Sequence, residues 1–235
     1  RNALFVRLWV SQFLAVAALY ALNFAAVVAV AQSSLSTTQT GLVILSSMLP
    51  AFIGSLFAGV IVDRFERTRV LRFSHLVRAL AGFSFWLFAG VLADDLGPLP
   101  IFILLVLGAL FTQVAISAEL SLLPHYVEQS QLLRANSLLQ ISMLAAEGLG
   151  VVALGSILAK AAGADIIGVV SGCLTLGAAA LVWRLPAVRV CAREKAGDPR
   201  EIMRSIGEDF RLGWRAILRD RVLRIAVAQF ALVSA

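Results

Sequence analysis

Glu147 has the most chemistry to offer, because it places a carboxyl inside a long apolar run. Counted over residues 135–159, it lies about 12 residues in, near the middle of a hydrocarbon layer about 30 Å thick at 1.5 Å rise per residue. A carboxylate at that depth costs about 2.5–3.5 kcal/mol on insertion scales, so it must face a cavity, find a partner or carry a proton. If it gains and loses a proton there, it could couple proton movement to that of a second molecule. The structural alternative is a permanently protonated Glu147 in an interhelical hydrogen bond. Asn136, Gln140 and Glu147 fall within about 40° of arc on one helix face, a polar stripe from one mouth of the membrane to its midplane. Gln12 and Asn23 share a face of the first apolar run, and Gln113 and Ser117 are i, i+4 neighbours in the fourth. All are candidate cavity contacts, or else helix–helix hydrogen bonds that contribute about 0.6 kcal/mol each.

The elements that must position these groups are membrane-length helices. The chain is 60% hydrophobic and 14% charged, with a mean hydropathy of +0.90, the composition of a polytopic membrane protein. Hydropathy predicts spans at about 8–31, 41–62, 70–92, 99–123, 135–159 and 164–183, each near the ~20 residues that a bilayer requires. The first run is too long for the ~7–15-residue apolar region of a signal peptide, so it reads as a retained span. A seventh run begins near Val222 and is still apolar at Ala235, and the chain starts without methionine. The expectation is an N-terminal six-helix bundle (1–183), a cytoplasmic linker (184–221) and the start of a seventh span (222–235). Within the linker, Asp198 and Pro199 read as N-cap and first helical position. Ile202, Ile206, Phe210, Trp214 and Ile217 follow on one face, and Arg200, Arg204, Arg211, Arg215 and Arg219 occupy much of the rest. That pattern predicts an amphipathic helix at the membrane surface.

With the N-terminus inside, nineteen of the twenty Lys and Arg residues lie on or near the cytoplasmic side, counting flanking helix ends, and Lys160 is the exception. This is the positive-inside pattern. The same placement argues against nucleic acid as the reason for the net charge of +6. Enzyme chemistry is not visible. His75 and His125 have no metal-like partner cluster, Cys173 and Cys191 form no disulfide framework, and no phosphate-binding G-x-x-x-x-G-K-[ST] loop occurs. No cofactor or metal is expected.

The densest motif is Gly-Val-Ile-Val-Asp-Arg-Phe-Glu-Arg-Thr-Arg at 59–69, between the second and third runs. It resembles the loop of the major facilitator superfamily written G-x-x-x-D-R-x-G-R-R. Gly59, Asp63, Arg64 and Arg67 match, whereas Glu66 replaces the second glycine and Thr68 a basic position. Arg7-Leu8-Trp9, the stretch Leu132 to Gln140 and the stretch Trp214 to Leu223 are similar to a bacterial exporter branch that includes siderophore and macrolide efflux proteins. The resemblance implies an all-α, two-bundle secondary transporter working by alternating access, monomeric when full length. It implies a cavity bordered by helices one, two, four and five, and a latch in which Asp63, with Arg64 and Arg67, holds the cytoplasmic side shut. Small-molecule substrate, protons and lipid bilayer are the expected partners. Import, lipid translocation or a non-transporting receptor or assembly role remain open alternatives. The sequence departs from proton-driven drug exporters in having no Lys or Arg between Arg78 and Arg134. Of the antiporter motif G-x-x-x-G-P-x-x-G-G in the fifth helix it keeps Gly150 and Gly155 but has Val151 and Leu154 at other motif positions.

Overall fold

A computed structural model describes residues 3–33, 37–91, 97 and 99–188. The expected amphipathic helix and the start of a seventh span lie outside the described residues. Those described are almost entirely helical: α1 Ala3–Ser33, α2 Thr37–Arg64, α3 Arg67–Trp86, α4 Leu99–Tyr126, α5 Leu132–Gly148 and α6 Ala164–Trp183. Five spans are long and apolar enough to cross a membrane, and α2 makes a sixth if its bent halves, Gly41–Ser55 and Phe57–Arg64, count as one. Pro50 lies inside α2. Its missing N–H removes one bond of the helical ladder, and the 53° bend falls six residues further on, at residue 56.

Several helices outrun the apolar runs that predict them. The second continues to Thr37 and Arg64, and the fourth runs through Pro124 to Tyr126. The fifth occupies 129–162 in all, from the 3₁₀ turn Gln129–Gln131 to the last turn Leu158–Ala162. Polar end residues such as Arg64, His125, Arg134 and Lys160 stop hydropathy from counting, but they do not stop the backbone ladder. Gly163 alone joins the fifth and sixth spans. Its φ of +98° belongs to glycine, which has no Cβ to clash.

The fifth span also widens. Leu149–Ile157 is π-helical, and the Ser156 hydroxyl donates to the Val151 carbonyl five residues back at 3.1 Å. Gly150 and Gly155 lie in this stretch because α1 approaches it. A Cβ on Gly150 would stand 2.5 Å from the Ala17 carbonyl oxygen, and one on Gly155 would stand 2.9 Å from the Phe24 ring. These two glycines therefore have a packing role.

α1 packs on α6 and the π-helical stretch, α3 on α6 and α4, and α2 on α4. Two apolar clusters result. Leu8, Leu71, Leu122, Tyr126 and Val182 gather at the end that carries the arginine loop. Ala21, Val30, Phe85, Leu105 and Ile167 gather toward the other end. Between them, α1, α3, α4 and α6 bury a polar layer that includes Ser11, His75, Arg78, Glu119 and Thr175.

Candidate functional site

A cavity of about 410 Å³ opens between α1, α2, α4 and the π-helical stretch, within the size range of small-molecule pockets. These are the four helices that the resemblance implied. Tyr20 and Asn23 come from α1, Ser47 and Met48 from α2, Thr112 and Gln113 from α4, and Val151 from the fifth span. Most of the remaining wall is aliphatic. The Thr112 hydroxyl donates to the Gly108 carbonyl at 2.7 Å, and Ser47 donates to Val43 and Ile44 carbonyls. Both hydroxyl protons are thus held by their own helices, and these side chains offer only acceptor lone pairs to a guest. The side-chain amides of Asn23 and Gln113 supply donors as well as acceptors.

Glu147 is half-buried and is the electrostatic and hydrogen-bonding neighbour of the Tyr20 hydroxyl. Tyr20 lies in the cavity wall, so it links Glu147 to the cavity. The signal that sequence reading passed over was a phenol near the middle of the first span, three residues before Asn23. The other candidates separate. Asn136 and Gln140 occupy the exposed face of α5, and Ser117 is half-buried outside the cavity lining. Gln12 is 5% exposed, and its Oε1 has no hydrogen-bond partner. Gln12 and Asn23 share a helix but not a site.

At the arginine loop, α2 and α3 are joined by Phe65 and Glu66 alone. Asp63 is exposed in the last turn of α2, where its charge opposes the negative end of the helix dipole. Among the described residues it forms no ion pair with Arg64 or Arg67. Glu66 instead pairs with Arg69 at 2.8 Å, and Arg67 donates to the Ser121 carbonyl of α4 at 2.9 Å. Arg67 is thus held by α4 rather than by Asp63. Packing of α3 on α4 turns Arg67 toward the C-terminal turns of α4, where a cation is favoured. Gly59 is exposed, and a Cβ there would meet nothing within 4 Å. Arg72 closes the far end of α6, donating to the Trp183 and Leu185 carbonyls at 3.2 and 2.8 Å, with its guanidinium 5.5 Å from the Trp183 ring centroid.

The sequence reading also missed the buried polar layer. It counted Arg78 among charges at a membrane surface, yet Arg78 is 7% exposed and about 16 Å along α3 from Arg67. Its guanidinium donates to the Ala15 carbonyl of α1 at 2.6 Å and is the charge neighbour of Glu119. His75 Nε2 stands 3.2 Å from Ser11 Oγ and 3.8 Å from Glu119 Oε1. Both contacts fall on the same ring nitrogen, whereas nucleophile activation needs the hydroxyl and the acid on opposite nitrogens. Together with full burial, this rules out a hydrolytic triad. Among the described residues no group of three or more His, Cys, Asp or Glu side chains could hold a metal ion.

Comparison with known proteins agrees with this architecture. The chain is 26% identical over 201 residues to the enterobactin exporter EntS of Citrobacter koseri and 25% identical to that of Shigella boydii serotype 18. Each match covers 84% of this chain and 45% of the relative, so the chain spans less than half the length of these proteins. The family model of the Major Facilitator Superfamily matches residues 8–235. With its membrane-length helices and a cavity between the first, second, fourth and fifth spans, this chain belongs to the Major Facilitator Superfamily.

Proposed function

We propose that the chain forms one half of a proton-coupled exporter of a small amphipathic or hydrophobic molecule, working by alternating access in a bacterial cytoplasmic membrane. The N-terminus lies on the cytoplasmic side, as the distribution of Lys and Arg favours. The observation that carries this reading is the cavity. It has aliphatic walls, two side-chain amides and a tyrosine that touches an intramembrane carboxyl. Aliphatic walls take up apolar surface, and the amides orient a polar group. Glu147 is the coupling acid, and its proton passes at the cavity wall through contact with Tyr20. Export as the direction follows the likeness to the two enterobactin exporters.

Asp63 is the cytoplasmic latch. Exposed and without an ion-pair partner among the described residues, it is available to a positive group of the second half, such as a helix N-terminus. Arg64 and Arg67 are its neighbours in that contact, with Arg67 fixing the loop on α4.

The test uses the full-length protein in inside-out vesicles made acidic inside. Lipophilic drugs and siderophores are added, and proton release is recorded for wild type and Glu147→Gln. Release that vanishes in well-inserted Glu147→Gln protein is the expected result. Equal release from both would reduce Glu147 to a structural hydrogen bond. Uptake in the opposite sense would overturn the export reading.

A further inference from the structure

The charged layer inside the bundle is not explained by the cavity, since Ser11, His75, Arg78 and Glu119 are all absent from its lining. Each is at most 7% exposed. Burying one cation, one carboxyl and one imidazole among four helices is costly wherever the purpose is packing alone, because apolar side chains of similar volume do as well or better. We propose that Glu119, set between His75 and Arg78, is a proton-binding site inside the bundle, separate from Glu147 at the cavity wall.

The hydrogen bonds define its resting arrangement. Ser11 Oγ lies 3.1 Å from the Ala178 carbonyl, which can only accept, so the hydroxyl proton points there. Ser11 Oγ can then only accept from His75, which places the imidazole proton on Nε2. Nδ1 is left as a lone pair with no partner, and Gln12 Oε1, on the next residue of α1, is a second buried acceptor with none. Native interiors rarely leave such acceptors unmet. The acceptor on His75 belongs to the cluster itself and leaves it able to receive a proton donor, water or hydronium.

The charges facing Glu119 decide where the proton rests. His75 and Arg78 both come from α3. α1 contributes the uncharged Ser11 and α6 the Ala178 carbonyl. α2, the other helix packed on α4, carries Asp63 and Arg64 only at its exposed end. A proton on His75 would set a second cation beside Arg78, whereas a proton on Glu119 adds to a carboxylate oxygen and cancels a charge. Uptake therefore forms one O–H bond on Glu119 and raises the charge of the cluster by one. Arg78 is then left with the neutral Ala15 carbonyl as its hydrogen-bond partner. A buried cation without a counter-charge favours any packing that lets water reach it. Protonation of Glu119 is thereby linked to release of Arg78 from the Ala15 carbonyl of α1.

The test is a pH-difference infrared spectrum of the full-length protein in lipid nanodiscs, with no substrate, so failure of the export reading leaves it intact. Acidification should raise a protonated-carboxyl band. That band should disappear in Glu119→Gln, move in Glu119→Asp and persist in Glu147→Gln. If Glu119→Gln does not fold, the displaced band of Glu119→Asp decides. A wild-type spectrum with no such band, or a band unchanged by either substitution at Glu119, would overturn the proposal.

Discussion

Replacing Gly150 with alanine tests whether the fifth span owes its position to close contact with α1. The new methyl would stand 2.5 Å from the Ala17 carbonyl oxygen and 2.9 Å from Tyr20 Cβ. The first distance falls about 0.9 Å short of the 3.4 Å at which ordinary contact begins. Both neighbours are fixed to the α1 backbone, so the helices themselves must part. Overpacking of this kind costs about 1–3 kcal/mol, and alanine returns up to about 1 kcal/mol through helix propensity. Gly108→Ala is the control, because a Cβ there meets nothing within 4 Å in the regular helix α4. It should gain the propensity term alone. The two variants should therefore differ by about 1–3 kcal/mol, roughly a 5- to 150-fold difference in unfolding equilibrium. Equilibrium unfolding of the full-length protein in mixed micelles with rising dodecyl sulfate measures that difference. If Gly150→Ala proves as stable as Gly108→Ala, the close approach does not exist as described. The same displacement moves Tyr20, so Gly150→Ala protein that remains folded should also lose the Tyr20–Glu147 contact.

Arg72→Lys keeps the charge but cannot span the α6 carbonyls or stack on Trp183 with one ammonium. It should cost about 1–2 kcal/mol in the same unfolding assay, and an unchanged midpoint would show the cap to be idle. Trp9 donates to the Ser142 hydroxyl at 2.6 Å between α1 and α5. A double-mutant cycle with Trp9→Phe and Ser142→Ala should give a coupling of about 0.6–1.7 kcal/mol, whereas simple additivity would remove the bond from the account. Asp63→Asn should lower transport more than it lowers the amount of protein inserted, measured as vesicle flux per protein detected by immunoblot. Undiminished flux per protein would remove the latch.

Membrane-length helices were legible in the sequence because a bilayer asks for a property that adds up along the chain, apolar length. The ends were less legible, since Arg64 and Lys160 end an apolar count without ending a hydrogen-bond ladder. Glu147 stood out because a carboxyl in the middle of an apolar run is costly wherever its neighbours are. Glu119 carries an equal charge but was masked by its place near the edge of a predicted span, and Arg78 by its place near a basic loop.

The sequence by itself determined the helical membrane class and the family motif at 59–69. Each of these depends on neighbours along one chain. Which polar residues meet was decided only by tertiary structure, because contact across helices depends on rotation and depth, and neither is written in local spacing. Packing turned Asn23 and Gln113 to one cavity and left Gln140 on an exposed face. It drew Arg67 to Ser121, and it closed four helices over Ser11, His75, Arg78 and Glu119.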